Sequence, residues 1–200
     1  MKYLKILGPA AVAAMALAAF TAGNAAATVL EVEGQNWLES VEINASLETG
    51  TSATLARTDG SLANTCTSST VAGATSSPFT GEQVTGALSS LTFASCSETV
   101  TVDAKGQLFV KHIAGTTNGT VFSENAEVTV KTPFGNEVNC KTGTGTDIGT
   151  LTGVKSGNAT MDINAVLNCG FLLPSATWKG AYTVTSPTGL GVKDKNSGNN

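Results

Sequence analysis

Charge, aromatic side chains and histidine are scarce in this chain, and each shortage narrows what it can do. Charged residues make up 13% and aromatic residues 6% of its 200 positions. The basic residues stand singly, so no clustered cationic face is present to neutralise phosphates, and nucleic acid is not an expected partner. Histidine occurs once, at His112, so a catalytic triad would have one candidate base and needs a nucleophile and an orienting acid brought to it through space. No G-x-S-x-G elbow, C-x-x-C pair or EF-hand loop is present, which removes the common signatures of a hydrolase, a zinc site and a calcium site. Beyond residue 27 a sustained helical period is also missing, except over 36–47, where an amphipathic helix competes with a strand.

What is present begins with an export signal. Met1-Lys2-Tyr3-Leu4-Lys5 is short and positive, and an apolar run follows from Ile6 to Phe20. At about 15 residues that run is shorter than the roughly 20 needed to cross a bilayer as a helix. Ala25 and Ala27 form an A-x-A cleavage site with the cut before Thr28. This pattern predicts a signal helix over 1–27, a single β domain over 28–190 and a flexible polar tail over 191–200. The expected product is secreted or otherwise extracytoplasmic, with no transmembrane segment in its mature part. No Cys follows the cut until Cys66, so lipid anchoring is not expected. Leu173-Pro174-Ser175-Ala176-Thr177 has Ala176 where a sortase string needs Thr, and no hydrophobic tail follows it. Loss of Lys2 and Lys5 with the signal moves the formal charge from −4 to −6.

Four cysteines remain: Cys66, Cys96, Cys140 and Cys169. An even count in an exported chain predicts two disulfides, and three pairings are open. The near-equal intervals favour Cys66 with Cys96 and Cys140 with Cys169. Each such loop contributes on the order of 3 to 4 kcal/mol in the chain-entropy model.

Thr, Ser and Gly exceed a third of the mature part, yet Val, Leu, Ile and Phe recur in alternation, as in a folded β protein rather than a disordered tail. Strands are predicted over 84–88, 91–93, 99–102, 107–113, 127–131, 160–166 and 178–185. Thr58-Asp59-Gly60, Asp103-Ala104-Lys105-Gly106, Asn118-Gly119 and Ser156-Gly157-Asn158 supply turns. Short strands so spaced predict an all-β, antiparallel sandwich or barrel-like fold of about ten or more strands. The 66–96 and 140–169 segments also echo each other, either as a duplicated disulfide-closed hairpin or as ordinary Thr-rich β sequence.

Several strings carry a resemblance: Thr65-Cys66-Thr67-Ser68-Ser69-Thr70-Val71, Ser90-Leu91-Thr92-Phe93, His112-Ile113-Ala114-Gly115-Thr116 and Met161-Asp162-Ile163-Asn164-Ala165-Val166 among them. Over most of residues 50 to 190 the chain resembles a family of uncharacterised secreted actinobacterial proteins rich in Thr and Gly. The resemblance implies export and a β fold, and brings no known activity or site. It departs at one place, since the family tends to put its last Cys directly before the Pro matching Pro174, where this chain has Leu173 and carries Cys169 instead.

No constellation of catalytic, cofactor or metal-binding residues is predicted. His112 ends a strand beside a turn and reads as structural. Gly143-Thr144-Gly145-Thr146-Asp147-Ile148-Gly149 lacks the G-x-G-x-x-G spacing and the following helix of a dinucleotide site, so a β-turn is expected. Glu124 and Glu127, expected to flank a hairpin, together with Asp162 and the Glu31, Glu33, Glu39 and Glu42 group, read as solvated charges. Trp178, in register with Tyr182 and Val184, is expected in the core. The leading expectation is a non-enzymatic surface protein of the envelope or matrix, acting on a cell-surface polymer or on itself. A barrel or sandwich binding a lipid or sugar is the alternative, and a hydrolase built on His112 the third.

Overall fold

The described residues of the computed structural model, 27–37, 39–57, 59, 63–76, 81–132, 134–170 and 175–196, hold fifteen β-strands and no helix. In chain order they are β1 (Thr28–Val32), β2 (Gln35–Trp37), β3 (Glu42–Leu47), β4 (Ala53–Arg57), β5 (Asn64–Thr75), β6 (Val84–Cys96), β7 (Val100–Ala104) and β8 (Gln107–His112). There follow β9 (Gly119–Glu124), β10 (Glu127–Lys131), β11 (Glu137–Lys141), β12 (Thr146–Thr152), β13 (Thr160–Leu167), β14 (Ala176–Ser186) and β15 (Leu190–Asp194). The expected signal helix lies outside the described residues, as does Ala25 of its cleavage site. Ala27 is described, and its carbonyl accepts a hydrogen bond from the Lys195 amide. Thr28, just after the expected cut, opens β1 and is buried.

β13 illustrates how the pattern becomes structure. Met161, Ile163, Ala165 and Leu167 are buried, while Asp162, Asn164 and Val166 between them are exposed. Successive side chains of a strand point to opposite faces, so this alternation lays one apolar row against a core and one row outward.

Neighbours in sequence become neighbours in space, and the sheet closes on itself. Around the ring the order is β14, β3, β5, β6, β8, β9, β12, β13 and again β14, with every pairing antiparallel. The fold is therefore a barrel, and of the two architectures open from the sequence the sandwich is excluded. Closure gives every stave of the ring a ladder to a neighbour on each side over at least part of its length.

Four of the eight staves are built differently from single strands. β3 and β4 run in the same direction beside β14 and β5, β3 along one half of their length and β4 along the other, so they act as one stave broken by residues 48–52. β7 leads into β8 and β9 into β10, because Ala104 pairs with Glu127 and Gln107 with Glu124 on either side of a short break in the ladder. The expected hairpin between Glu124 and Glu127 is thus a bend within one stave. Gly106 at φ 70° and Asn125 at φ 58° turn the two staves together. A Cβ on Gly106 would collide with the Glu124 carbonyl, so glycine is required there for packing as well as backbone freedom. β11 and β12 repeat the arrangement on the far side of β10 and β9.

One end of the barrel is covered by β15, β1 and β2. Residues 191–200, expected as a frayed polar tail, instead enter this sheet through 194, with Leu190 opposite Val32 and Asp194 opposite Thr28. Val192 is fully buried and Leu190 nearly so, and burial of that Leu-x-Val pair outweighs the polarity of the residues that follow. The 36–47 segment forms β2 and β3, so the helix alternative loses to strand pairing.

Both disulfides lie at the opposite end. Cys66 bonds Cys96, and Cys140 bonds Cys169, across separations of 30 and 29 residues. Each closes the base of a hairpin whose tip points to the covered end, which gives the echo in the sequence a structural counterpart.

Candidate functional site

Eight staves leave an interior just wide enough to be filled by side chains or to hold one small ligand. Here the side chains do not fill it completely. A cavity of about 80 Å³ lies under the covering sheet, one of about 20 Å³ at mid-height and one of about 50 Å³ toward the disulfides. They form one file along the axis. Val71, Leu88, Leu108 and Met161 line both the upper and the middle cavity, and Leu91, Ala126 and Trp178 line both the middle and the lower.

Leu30 and Leu190, from the covering sheet, close the upper cavity. At the lower end the wall is incomplete. β6 leaves its ladder with β8 after Ala87, the Leu88 amide still reaching the Gly106 carbonyl at 3.3 Å. Beyond that point no ladder joins β6 to β7 among the described residues. Lys105 Nζ donates across the gap to the Ser89 carbonyl at 2.7 Å.

The lumen is apolar with a few polar groups. Tyr182 is fully buried, and its hydroxyl donates to Ser69 Oγ at 3.0 Å, which in turn donates to the Thr92 carbonyl at 2.8 Å. Burial pushes the Tyr182 phenol above its usual pKa, and the Ser69 bond offsets part of that rise. Ser123 and Thr142, both buried, pair through their hydroxyls at 3.3 Å, and Thr142 Oγ1 also accepts from the Ala126 amide. Trp178 meets Phe93 edge to face, with ring centroids 6.0 Å apart and planes at 73°. Its indole Nε1 is shielded from solvent and is the one such side-chain nitrogen or oxygen among the described residues without a hydrogen-bond partner.

The residues weighed from the sequence lie elsewhere. His112 is at the covered end, its Nε2–H donating to the Thr116 carbonyl at 2.8 Å and its amide to Thr28 Oγ1 at 3.2 Å. Among the described residues no acid hydrogen-bonds to its ring. Gly143 to Gly145 form a turn before β12, and Asp147 accepts from the Gly149 amide at 3.1 Å. Asp162 faces outward. Of the N-terminal acids, Glu39 and Glu42 are exposed, but Glu31 is buried at 5% exposure, its Oε2 3.9 Å from Lys193 Nζ. Glu31 is therefore no solvated charge; β1 lies between β2 and β15, and this places its side chain against the tail the sequence assigned to solvent. Among the described residues no three His, Cys, Asp or Glu side chains gather as a metal site, and no helix is long and apolar enough to cross a membrane.

Trp178 and Tyr182 are in the core as expected, but Ser69, Ser123 and Thr142 were not legible as lumen groups. Nothing distinguishes an inward Ser or Thr from the many outward ones until the barrel's register is known. No protein-family model, curated protein or solved structure matches the chain.

Proposed function

We propose that the mature chain is an exported binding protein that holds a slender apolar molecule along the axis of its barrel. The observation that carries this reading is the file of three cavities joined through shared apolar residues. Each is smaller than the roughly 150 Å³ apolar cavity known to take benzene, so an unbranched chain threading several of them fits better than a ring. Two disulfides accord with an oxidising compartment and brace the lower end, where the gap between β6 and β7 offers a way in.

The test is a titration of the disulfide-bonded mature protein with octane, followed by thermal unfolding and by methyl chemical shifts of Leu88, Leu91 and Met161. Binding raises the unfolding temperature and moves those methyl signals. Unchanged values up to the solubility limit of octane reject the reading. Action through the outer surface is a second reading, supported by Phe134, which is 83% exposed between β10 and β11. Loss of adsorption to wall polymer or of self-association in Phe134→Ser is its test.

A further inference from the structure

Trp178 carries an unused hydrogen bond at the point where two of the cavities meet. A buried Trp N–H ordinarily finds an acceptor, and a native group left without one calls for an explanation. The shielded hydroxyls of the lumen each have a partner: Tyr182 bonds Ser69, Ser69 bonds Thr92, and Ser123 pairs with Thr142. Asn64, at the lower cavity, accepts from Ser97 and from the Glu98 amide and donates to the Glu98 carbonyl. The indole nitrogen is thus the one shielded side-chain polar atom among the described residues with no partner at all, and an indole N–H can only donate.

Charge narrows the ligand further. No Lys, Arg or His lines any of the three cavities, and the one carboxylate among their lining residues is Glu127, at the lower one. A carboxylate or phosphate bound there would be desolvated without a counter-ion and beside an acid, which disfavours it. We infer that the lumen selects an uncharged, chain-like molecule bearing one oxygen acceptor, such as a ketone, ester or ether, and that Trp178 Nε1–H donates to that oxygen. This inference rests on the barrel binding an apolar chain at all, and its test separates the two.

The experiment uses the disulfide-bonded mature protein with Trp37→Phe, so that Trp178 is its only indole. Octane, octan-2-one and octanoate are titrated at neutral pH into this protein and into its Trp178→Phe derivative. Octane and octan-2-one differ in their transfer from water, so the quantity compared is the ratio of their affinities. That ratio falls by about five- to tenfold in favour of octane on Trp178→Phe, the loss expected for one hydrogen bond. Octanoate binds the parent at least about a hundredfold more weakly than octan-2-one. In the parent, octan-2-one moves the Trp178 indole proton downfield, while octane does not; this readout needs no lumen substitution if Trp178→Phe fails to fold. Octane bound with an unchanged ratio, or with an indole signal that ignores the ketone, overturns the Trp178 assignment and leaves the barrel reading in place. Octanoate bound as well as the ketone overturns the uncharged class. Failure of both octane and octan-2-one to bind overturns both readings.

Discussion

The two disulfide-closed hairpins of the barrel carry the same bond in the same position but depend on it differently. Between β5 and β6 the ladder runs from Cys66 opposite Cys96 to Thr75 opposite Gly86, so the disulfide ends a seam already sewn by backbone bonds. The partner hairpin pairs β12 with β13 over Gly149–Thr152 and Thr160–Ile163, then rejoins only at the bridge between Lys141 and Asn168. Cys140–Cys169 stands at that isolated bridge. The chain-entropy term is nearly equal for the two loops, whereas the local need is not.

Removing each pair as a double alanine variant is the strongest way to break the comparison. Each loss costs about 3 to 4 kcal/mol in the entropy model, read as the shift in urea midpoint. Amide exchange should then separate them. Loss of Cys140–Cys169 deprotects the Lys141 and Asn168 amides, which bond each other's carbonyls at 2.9 and 3.3 Å, while loss of Cys66–Cys96 leaves the β5–β6 ladder protected above Ser68. Equal deprotection in both variants would refute the difference.

A smaller effect sharpens the weaker seam. Gly149 sits at φ 151° in β12, and a Cβ there would collide with the Asp162 carbonyl of β13. Gly149→Ala costs about 1 to 3 kcal/mol, with deprotection confined to β12 and β13 in an exchange experiment.

Smaller still is the tie between β14 and β5, which flank the same stave. Tyr182 of β14, opposite Met161 of β13, donates to Ser69 of the β5–β6 hairpin. Tyr182→Phe costs about 0.5 to 1.5 kcal/mol by denaturant titration. The phenol's pKa is raised in the fold, so its share of stability is intact below about pH 10 and declines as pH rises above the unfolded value. The alkaline loss of stability should therefore be shallower in Tyr182→Phe than in the parent. Phe134→Ser, outside both hairpins, changes stability by no more than about 0.5 kcal/mol.

The sequence made the staves legible where alternation was unbroken, as in β10, β13 and β14. It gave two strands, 84–88 and 91–93, where a bulge changes the phase within one, β6. Leu88 and Leu91, three residues apart, both line the middle cavity, because β6 carries an extra residue opposite Ala72 and Gly73. Alternation says which face a residue takes relative to its neighbours; a bulge resets that relation without leaving a local mark. The tail's role in β15, the burial of Glu31 and the bend at Glu124 and Glu127 each depend on a strand distant in sequence. The candidate site was hidden for the same reason. Trp178 was legible as core, but its unpaired nitrogen emerges only once β14 is seated against β4 and β13.

The ring closes between β14 and β3, where Ser186 meets Asn44. That seam joins the last stave to the first, so no shorter stretch of chain encloses the lumen. Closure therefore comes late in assembly, at the slow end for domains dominated by distant pairings. Until the eighth stave arrives, the surface that would hold a ligand is an open apolar trough, and a molecule captured at that stage would be walled in by the folding of its host.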